Sequence, residues 1–574
     1  MARRDRETSP PENPIHLILL IIWCAIALIV RLMDLDAKPI WSDEFATLAF
    51  SLGRGFHQIP LDVPIAPELL VHPLEVDPNL GVGAVPERLF AESNHPPVYF
   101  MLTHLWVDGL APAGELVPIG IARSLSVLFG VATVPALFGL AWLSFRSRIV
   151  AQMAAALMAV SPFGVYLAQE ARHYTLAILL AIASLACLSA GIRRLNRQIS
   201  LPPWLVVVGV GINTLGVAVH FFFAFLLIAE GAMVLGLWIR DLRRSPLQFP
   251  AFKTWKGFYF VALGTAAGGL VWLPIFLQIS GGDSELTAWA SPGDPMEILI
   301  QPIARIVAWL TTMVVLLPVE NQPLPVVIIS GIFTLLILGI LGKVWVDGWR
   351  VLPPSRRESV QLWGGLTLVV WVLFLAIAWG FGIDLTLAAR YQFIYFPAIL
   401  LIVAAGLAAG WQNPGKYDWR RWAIALILTV SFFSGLMVAH NFAYQKPDRP
   451  EWVARAIASH SNPEIPTLIA TVHKSHEQTG EMMGIAWELQ KLGMPELSPF
   501  FLLAHKYEKE GLTATATLDR TLKKWPRPLN LWTVNFSAHF DPSLYNCQLE
   551  PGTKSYVPGY YFQMYRCGET PLGN

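Results

Sequence analysis

Apolar residues in this chain come in long runs, not in the short alternations of a soluble fold. Crossing about 30 Å of hydrocarbon takes roughly 20 mostly apolar residues. The first such run spans 15–33, and others lie near 119–144, 149–166, 173–191, 204–219, 221–240, 258–279, 325–345, 361–381, 393–411 and 421–440. Two weaker stretches, 96–110 and 303–318, are shorter than a comfortable crossing. The first run follows Arg3, Arg4 and Arg6, exceeds a signal h-region and has no small-residue cleavage site after it, which predicts a retained anchor. After His440 the pattern changes. Glu477–Leu492 has helical apolar spacing, while Thr467–Val472, Leu531–Phe536 and Tyr560–Tyr565 have the character of strands. The fold class predicted is an all-α polytopic membrane protein with a C-terminal α/β soluble domain.

Basic residues set the topology. They cluster at Arg3–Arg6, Arg146/Arg148, Arg193/Arg194/Arg197, Arg240/Arg243/Arg244, Lys343–Arg357 and Lys416–Arg421. If only the strong runs cross, every cluster faces the cytoplasm; if both weak stretches also cross, three clusters move outside. Eleven crossings with two re-entrant or interfacial helices are therefore expected, with thirteen as the alternative. Residues 1–14 then form a cytoplasmic N-terminus, 15–440 the transmembrane domain with its first outer loop at 34–118, and 441–574 an extracytoplasmic domain. The expected location is the cell's inner (plasma) membrane.

Composition agrees. Hydrophobic residues make up 54% of the chain and charged residues 14%, against about 25% charged in a soluble globular protein. Such a chain needs lipid as part of its solvent. With 41 Lys+Arg against 40 Asp+Glu, it has no basic excess for nucleic acid. The tail after His440, with 13 Lys+Arg and 13 Asp+Glu, has a soluble balance. Four cysteines exclude a disulfide scaffold or a multi-Cys zinc module. Cys24 and Cys187 fall within runs. An oxidising exterior would let Cys547 and Cys567 pair, two unpaired thiols being the alternative.

At the outer ends of the runs, carboxylates, imidazoles and arginines gather: Asp43-Glu44, Asn94-His95-Pro96-Pro97, Gln169-Glu170-Ala171-Arg172-His173-Tyr174, His220 and Arg390-Tyr391. Ionisable groups at a membrane face are costly unless paired or used. Pro39 ends the first helix and Ser42 is placed to N-cap a second one. That would hold Asp43 in a first turn, suited to general-base work on a hydroxyl; ordinary first-turn acids are the plainer alternative. Glu170 and Arg172 are either site residues or a local ion pair. His95 and His220 are site or packing residues, and Arg390-Tyr391 either grips a phosphate or anchors a helix at the interface.

The order of these motifs, with Trp41-Ser42-Asp43-Glu44, His95-Pro96-Pro97-Val98-Tyr99, Ala122-Arg123-Ser124-Leu125-Ser126, Ser161-Pro162 and Arg390-Tyr391, resembles the GT-C membrane glycosyltransferases. The similarity is to the bacterial branch related to protein O-mannosyltransferases and to the lipid A aminoarabinose transferase. It covers residues 15–230 well, 380–440 loosely and the tail hardly at all. What the resemblance implies is transfer of a sugar from a polyprenyl-phosphate donor to an extracytoplasmic lipid, glycan or protein, with inversion at the anomeric carbon. By the same analogy Asp43 is the catalytic base with Glu44 beside it. His95, Glu170, Arg172, Tyr174, His220, Arg390 and Tyr391 would hold donor phosphate or substrate. Asn94 stands where some relatives carry a metal-binding acid, and there is no Asp-x-Asp triplet, so no metal or other cofactor is assigned and a divalent ion stays open as an alternative. A transporter, flippase or polymerase of lipid-linked sugars is the competing class; its substrate groups would lie near mid-bilayer.

Overall fold

The computed structural model describes residues 14–244, 252–275, 295–414, 416–493, 497–506 and 513–569. The Arg3–Arg6 cluster and the end of the 258–279 run lie outside them. Two compact units emerge. One comprises Met1–Met33, Ser126–Gln169 and His173–Ala443; the other comprises Asp34–Leu125, Glu170–Arg172 and Tyr444–Asn574. The 34–118 loop therefore groups by packing with the tail. The reason is a hydrogen-bonded strand and a shared core, described below.

In the first unit every strong run is helical. Seven helices among the described residues are long and apolar enough to cross a membrane: Ile15–Leu32, Ile119–Phe145 (which begins in the second unit), Tyr174–Asn196, Phe223–Arg243, Leu324–Val351, Pro354–Phe381 and Trp419–Ala439. The pair Arg148–Val160 and Pro162–Ala168, bent by 54°, is apolar enough only when its two helices are taken together, as a broken span or a re-entrant loop. Pro203–Val219 and Phe396–Gln412 are shorter apolar helices, and Phe252–Leu270 completes the set. Leu335 and Phe381 are 70% and 78% exposed, as lipid-facing side chains would be. Of the weak stretches, the first forms helix Val98–Asp108, only about 16 Å long at 1.5 Å per residue. The second lies within or just beyond Pro295–Thr312, which contains Pro302.

The bend at Ser161-Pro162 is built from the sequence. Proline supplies no N–H to continue the first helix, and the Ser161 hydroxyl accepts from the Gly164 amide at 3.3 Å. The carbonyls left over at the end of Arg148–Val160 are met by Arg31, fully buried in the first helix, which donates to Met158 O at 2.8 Å and Ala159 O at 2.9 Å. Gln169 returns the support, with its amide on Met33 O at 2.7 Å.

The second unit is a mixed sheet with strands β1 (Pro64–Ile65), β2 (Thr467–His473), β3 (Phe500–His505), β4 (Leu529–Val534), β5 (Cys547–Leu549), β6 (Ser555–Val557) and β7 (Tyr560–Cys567). The order is β1-β3-β2-β4-β7-β5, with β6 on β7. β3, β2 and β4 are parallel and the rest antiparallel. Helices His476–Lys491 and Ala514–Lys524 make the two crossovers. Alternating side chains point to opposite faces of a strand, and here both faces are covered. Ile469, Phe501, Leu503 and Trp532 pack with Met482, Met483 and Ile485 of the first crossover helix and with Phe45, Leu48, Leu70 and Leu89 of the outer loop. Leu468, Ala470, Leu502 and Leu531 pack with Leu518 and Leu522 of the second. β1 comes from the outer loop and lies against β3. Asp62, just ahead of it, accepts the His505 amide at 3.0 Å and its ring N–H at 2.5 Å.

Cys547 and Cys567, facing each other across β5 and β7, are joined by a disulfide. Alkylation of denatured, unreduced protein should therefore label only Cys24 and Cys187. Mass spectrometry finding label on Cys547 or Cys567 would contradict the bridge.

Candidate active site

The acidic pair opens helix Ser42–Ser51. Ser42 is not its N-cap: the backbone at Trp41 is extended, so Ser42 is already helical. The capping acceptor comes from the tail, where Asp448 Oδ2 takes the Ser42 amide at 3.2 Å. The same helix is seated on helix His476–Lys491. A Cβ at Gly480 would stand 3.0 Å from Ser42 Cα, so glycine sets how closely the two approach.

One turn places the two carboxylates in opposite circumstances. Glu44 is fully buried. Its Oε1 accepts Arg123 Nε at 2.9 Å and the Ala171 amide at 2.9 Å; its Oε2 accepts Arg123 Nη2 at 2.8 Å and Lys446 Nζ at 3.4 Å. Burial pushes its carboxyl upward, but the Arg123 guanidinium, the Lys446 ammonium and the hydrogen bonds outweigh it and hold the pKa at about 2. A carboxylate so fully engaged has no lone pair to offer a substrate. Glu44, expected from the sequence to stand beside Asp43 in the chemistry, makes only these holding contacts among the described residues.

Asp43 points the other way. Its side chain is 35% exposed, and its Oδ2 meets Arg172 Nη2 at 3.3 Å. Arg172 is itself 4% exposed and tied down by Asp43 O at 2.9 Å and the Thr47 hydroxyl at 2.7 Å. Glu170 is buried with Oε1 on Lys446 Nζ at 2.6 Å. Arg123 also donates to the carbonyls of Leu35, Lys38 and Pro39, fixing the turn that leads into the helix. Burial, with Lys446 and Arg123 nearby, drives the Lys38 ammonium well below the usual lysine range. His95, half-buried ahead of helix Val98–Asp108, takes a 3.0 Å contact from Ser93 Oγ and lies edge-on to Phe100.

Asp43, Glu44, Glu170 and Arg172 are therefore brought together. Lys446, Arg123 and Lys38 join them without having stood out as site residues in the sequence. Arg123 does stand in the motif order; Lys446 has no signal of spacing or neighbours.

Tyr174, His220, Arg390 and Tyr391 belong to the first unit, where they form a group of their own. The His220 ring lies 4.5 Å from His173, 5.6 Å from Tyr174 and 6.3 Å from Tyr391, centroid to centroid. His220 Nδ1 accepts the Phe222 amide at 3.0 Å. The Arg390 guanidinium lies 5.4 Å over Tyr391. Deeper in the same unit, the Ser184 hydroxyl lies 2.8 Å from Asn213 Oδ1 and 2.9 Å from Glu230 Oε1. These three line an apolar cavity of about 420 Å³ with Thr265 and Phe258. The apolar runs do not disclose this mid-helix polar group.

Fold and site together define a polytopic helical protein with a loop-and-tail unit built around a buried ion cluster. No protein-family model and no curated protein matches the sequence. Among solved structures, the chain is similar to ArnT from Cupriavidus metallidurans bound to undecaprenyl phosphate, with 12% identity over 96% of this chain and 98% of that one and a TM-score of 0.48. It is also similar to the Archaeoglobus fulgidus oligosaccharyltransferase AglB in complex with an inhibitory peptide and a dolichol-phosphate, with 10% identity over 96% and 74% of the two chains and a TM-score of 0.47.

Removing one partner from a buried ion pair typically costs about 3–5 kcal/mol. Arg123→Met should lower the melting temperature of the detergent-solubilised protein accordingly, and adding Glu44→Leu should recover part of the loss. Additive losses in the double variant would show that the two groups are not coupled. Because the folded pKa of Glu44 lies below its ordinary 4.5, its stabilisation is present above pH 4.5 and lost as pH falls toward 2. Acid denaturation of Glu44→Gln should be correspondingly less steep across that window, which a melting series in pH measures.

Proposed function

We propose that this protein is a membrane glycosyltransferase that takes a sugar from a polyprenyl-phosphate donor and passes it to a hydroxyl on an extracytoplasmic lipid, glycan or protein. The observation that carries the proposal is the contrast within Asp43-Glu44. Of two adjacent acids, one is sealed among cations and the other is 35% exposed, held in place through Arg172. That is the arrangement a positioned general base requires: a fixed backbone, a fixed cationic neighbour and a carboxylate open to solvent.

In the proposed reaction Asp43 accepts the proton of the acceptor hydroxyl as its oxygen attacks the anomeric carbon. The bond from that carbon to the phosphate oxygen breaks on the opposite face, inverting configuration, and polyprenyl phosphate departs with its electron pair. Arg172 orients Asp43, while Arg123 and Lys446 hold Glu44 and Lys446 also holds Glu170. His95 is assigned to the leaving phosphate; within the first unit, Arg390 is a candidate phosphate-binding group in its own right. The aromatic faces of Tyr174, His220 and Tyr391 suit sugar or isoprenoid contact. An apolar bundle is the natural solvent for the donor's tail, because a soluble enzyme would have to extract it from lipid. The reading assigns the loop-and-tail unit to the exoplasmic side of the inner membrane.

A second reading, transport of a lipid-linked sugar, takes support from the Ser184–Asn213–Glu230 group, because buried polar side chains within apolar helices commonly mark substrate paths.

Asp43→Asn should lower sugar transfer by roughly 10²–10⁴-fold, the usual contribution of a general base, with donor binding retained. Mass spectrometry of envelope lipids and glycans from cells carrying each form would reveal the missing sugar and its attachment point together. Transfer at wild-type rate by purified Asp43→Asn would remove Asp43 as base; unaltered transfer alongside failed lipid translocation in Glu230→Gln would favour transport.

A further inference from the structure

Apart from the ion cluster, the loop-and-tail unit contains a group of three metal-ligating side chains. Glu92 ends helix Ala84–Glu92, and its side chain is only 1% exposed. One oxygen, Oε2, is anchored by the amides of Phe56 at 2.7 Å and His57 at 3.1 Å. The other, Oε1, is buried with no hydrogen-bond partner among the described residues and lies 3.6 Å from His57 Nδ1. The His476 ring, from the first turn of the crossover helix His476–Lys491, stands 5.1 Å from that of His57, centroid to centroid. The three side chains each offer one ligand atom within 4.8 Å of the others.

Two features prepare the carboxylate. Its anchoring by two amides fixes its plane, so that one oxygen is committed and the other aimed at the imidazoles. Position 55 is glycine, where a Cβ would fall 2.3 Å from Glu92 Oε1; the carboxylate occupies space that any other residue would fill. An ion pair between Glu92 and His57 would account for one imidazole only. A second beside the first is unfavourable if both are charged, and natural if both are neutral ligands.

We propose that His57, Glu92 and His476 form a zinc site. Two imidazoles and one carboxylate suit a borderline divalent ion such as Zn(II). Bond lengths near 2.0–2.2 Å place tetrahedral ligand atoms about 3.3 Å apart, so the group must close slightly. His57, whose side chain is 61% exposed, has the freedom to do this, and water completes the shell from that open side. The ion would fasten the outer loop to the tail's crossover helix, a structural clip whose value lies in joining segments remote in sequence. It is independent of the glycosyltransferase proposal.

Full-length, tag-free protein in detergent, stripped with EDTA and dialysed against zinc sulfate, should retain one zinc per chain by elemental mass spectrometry. Cobalt in its place should give the visible bands of nitrogen and oxygen ligation, and return of zinc should raise the melting temperature. His57→Ala and His476→Gln should each weaken zinc binding at least tenfold while melting like the wild type in EDTA. A wild-type chain that retains no zinc, or a His57→Ala/His476→Gln double variant that binds it as the wild type does, would overturn the site. The cobalt spectrum of the wild type decides the matter even if a variant fails to fold.

Discussion

A single carboxylate withdrawn from water organises the loop-and-tail unit. Glu44 can stay ionised in that position only because Arg123, Lys446 and the Ala171 amide surround it. Those three partners come from three separate stretches of chain, so satisfying one charge obliges the turn at 35–44, the start of helix Ile119–Phe145, segment 170–172 and the first residues of the tail to share one place. Desolvating a carboxylate costs several kcal/mol when it is alone. Arrangements that part these segments incur that cost, which is how a polar group in a mostly apolar chain confers uniqueness on the fold.

The same cluster separates two acids that look equivalent in sequence. Asp43 and Glu44 are neighbours in the first turn of a helix, and a rotation of about 100° between them gives them opposite fates. The cations that neutralise Glu44 are spent on it and cannot reach a ligand. Arg172 stands between the two roles, with its guanidinium held by backbone and hydroxyl oxygens at one end and by the Asp43 carboxylate at the other. Under the proposed function, proton transfer would fall to Asp43 and the anchoring of the cations to Glu44, with no need for one group to do both.

Much of the architecture was legible because it rests on local quantities. A run of apolar residues long enough for a bilayer is a property of composition, and among the described residues each strong run is mostly helical. In the tail, the alternation around Leu468, Leu531 and Phe562 revealed three strands. β3 escaped because Phe500–Leu503 is apolar throughout and shows no period; helix Ala514–Lys524 escaped because its early turns are rich in threonine, a weak helix former. In the site, the residue types at 43, 44, 170 and 172 were suggestive, but their division of labour was not. Arg123 lies 79 positions from Glu44, and Lys446 lies 402 positions from it. Nothing local can announce a partner at that distance.

The two-residue strand β1 has a consequence out of proportion to its size. By lying along β3 it occupies what would otherwise be the bare rim of a sheet, the kind of rim through which proteins stick to one another. Residues 441–574 are consequently not a cassette that could be grafted onto another bundle or expressed by themselves in tidy form. They depend on a borrowed piece from near the opposite terminus, and any ancestral exchange of this tail would have had to carry the early loop along with it.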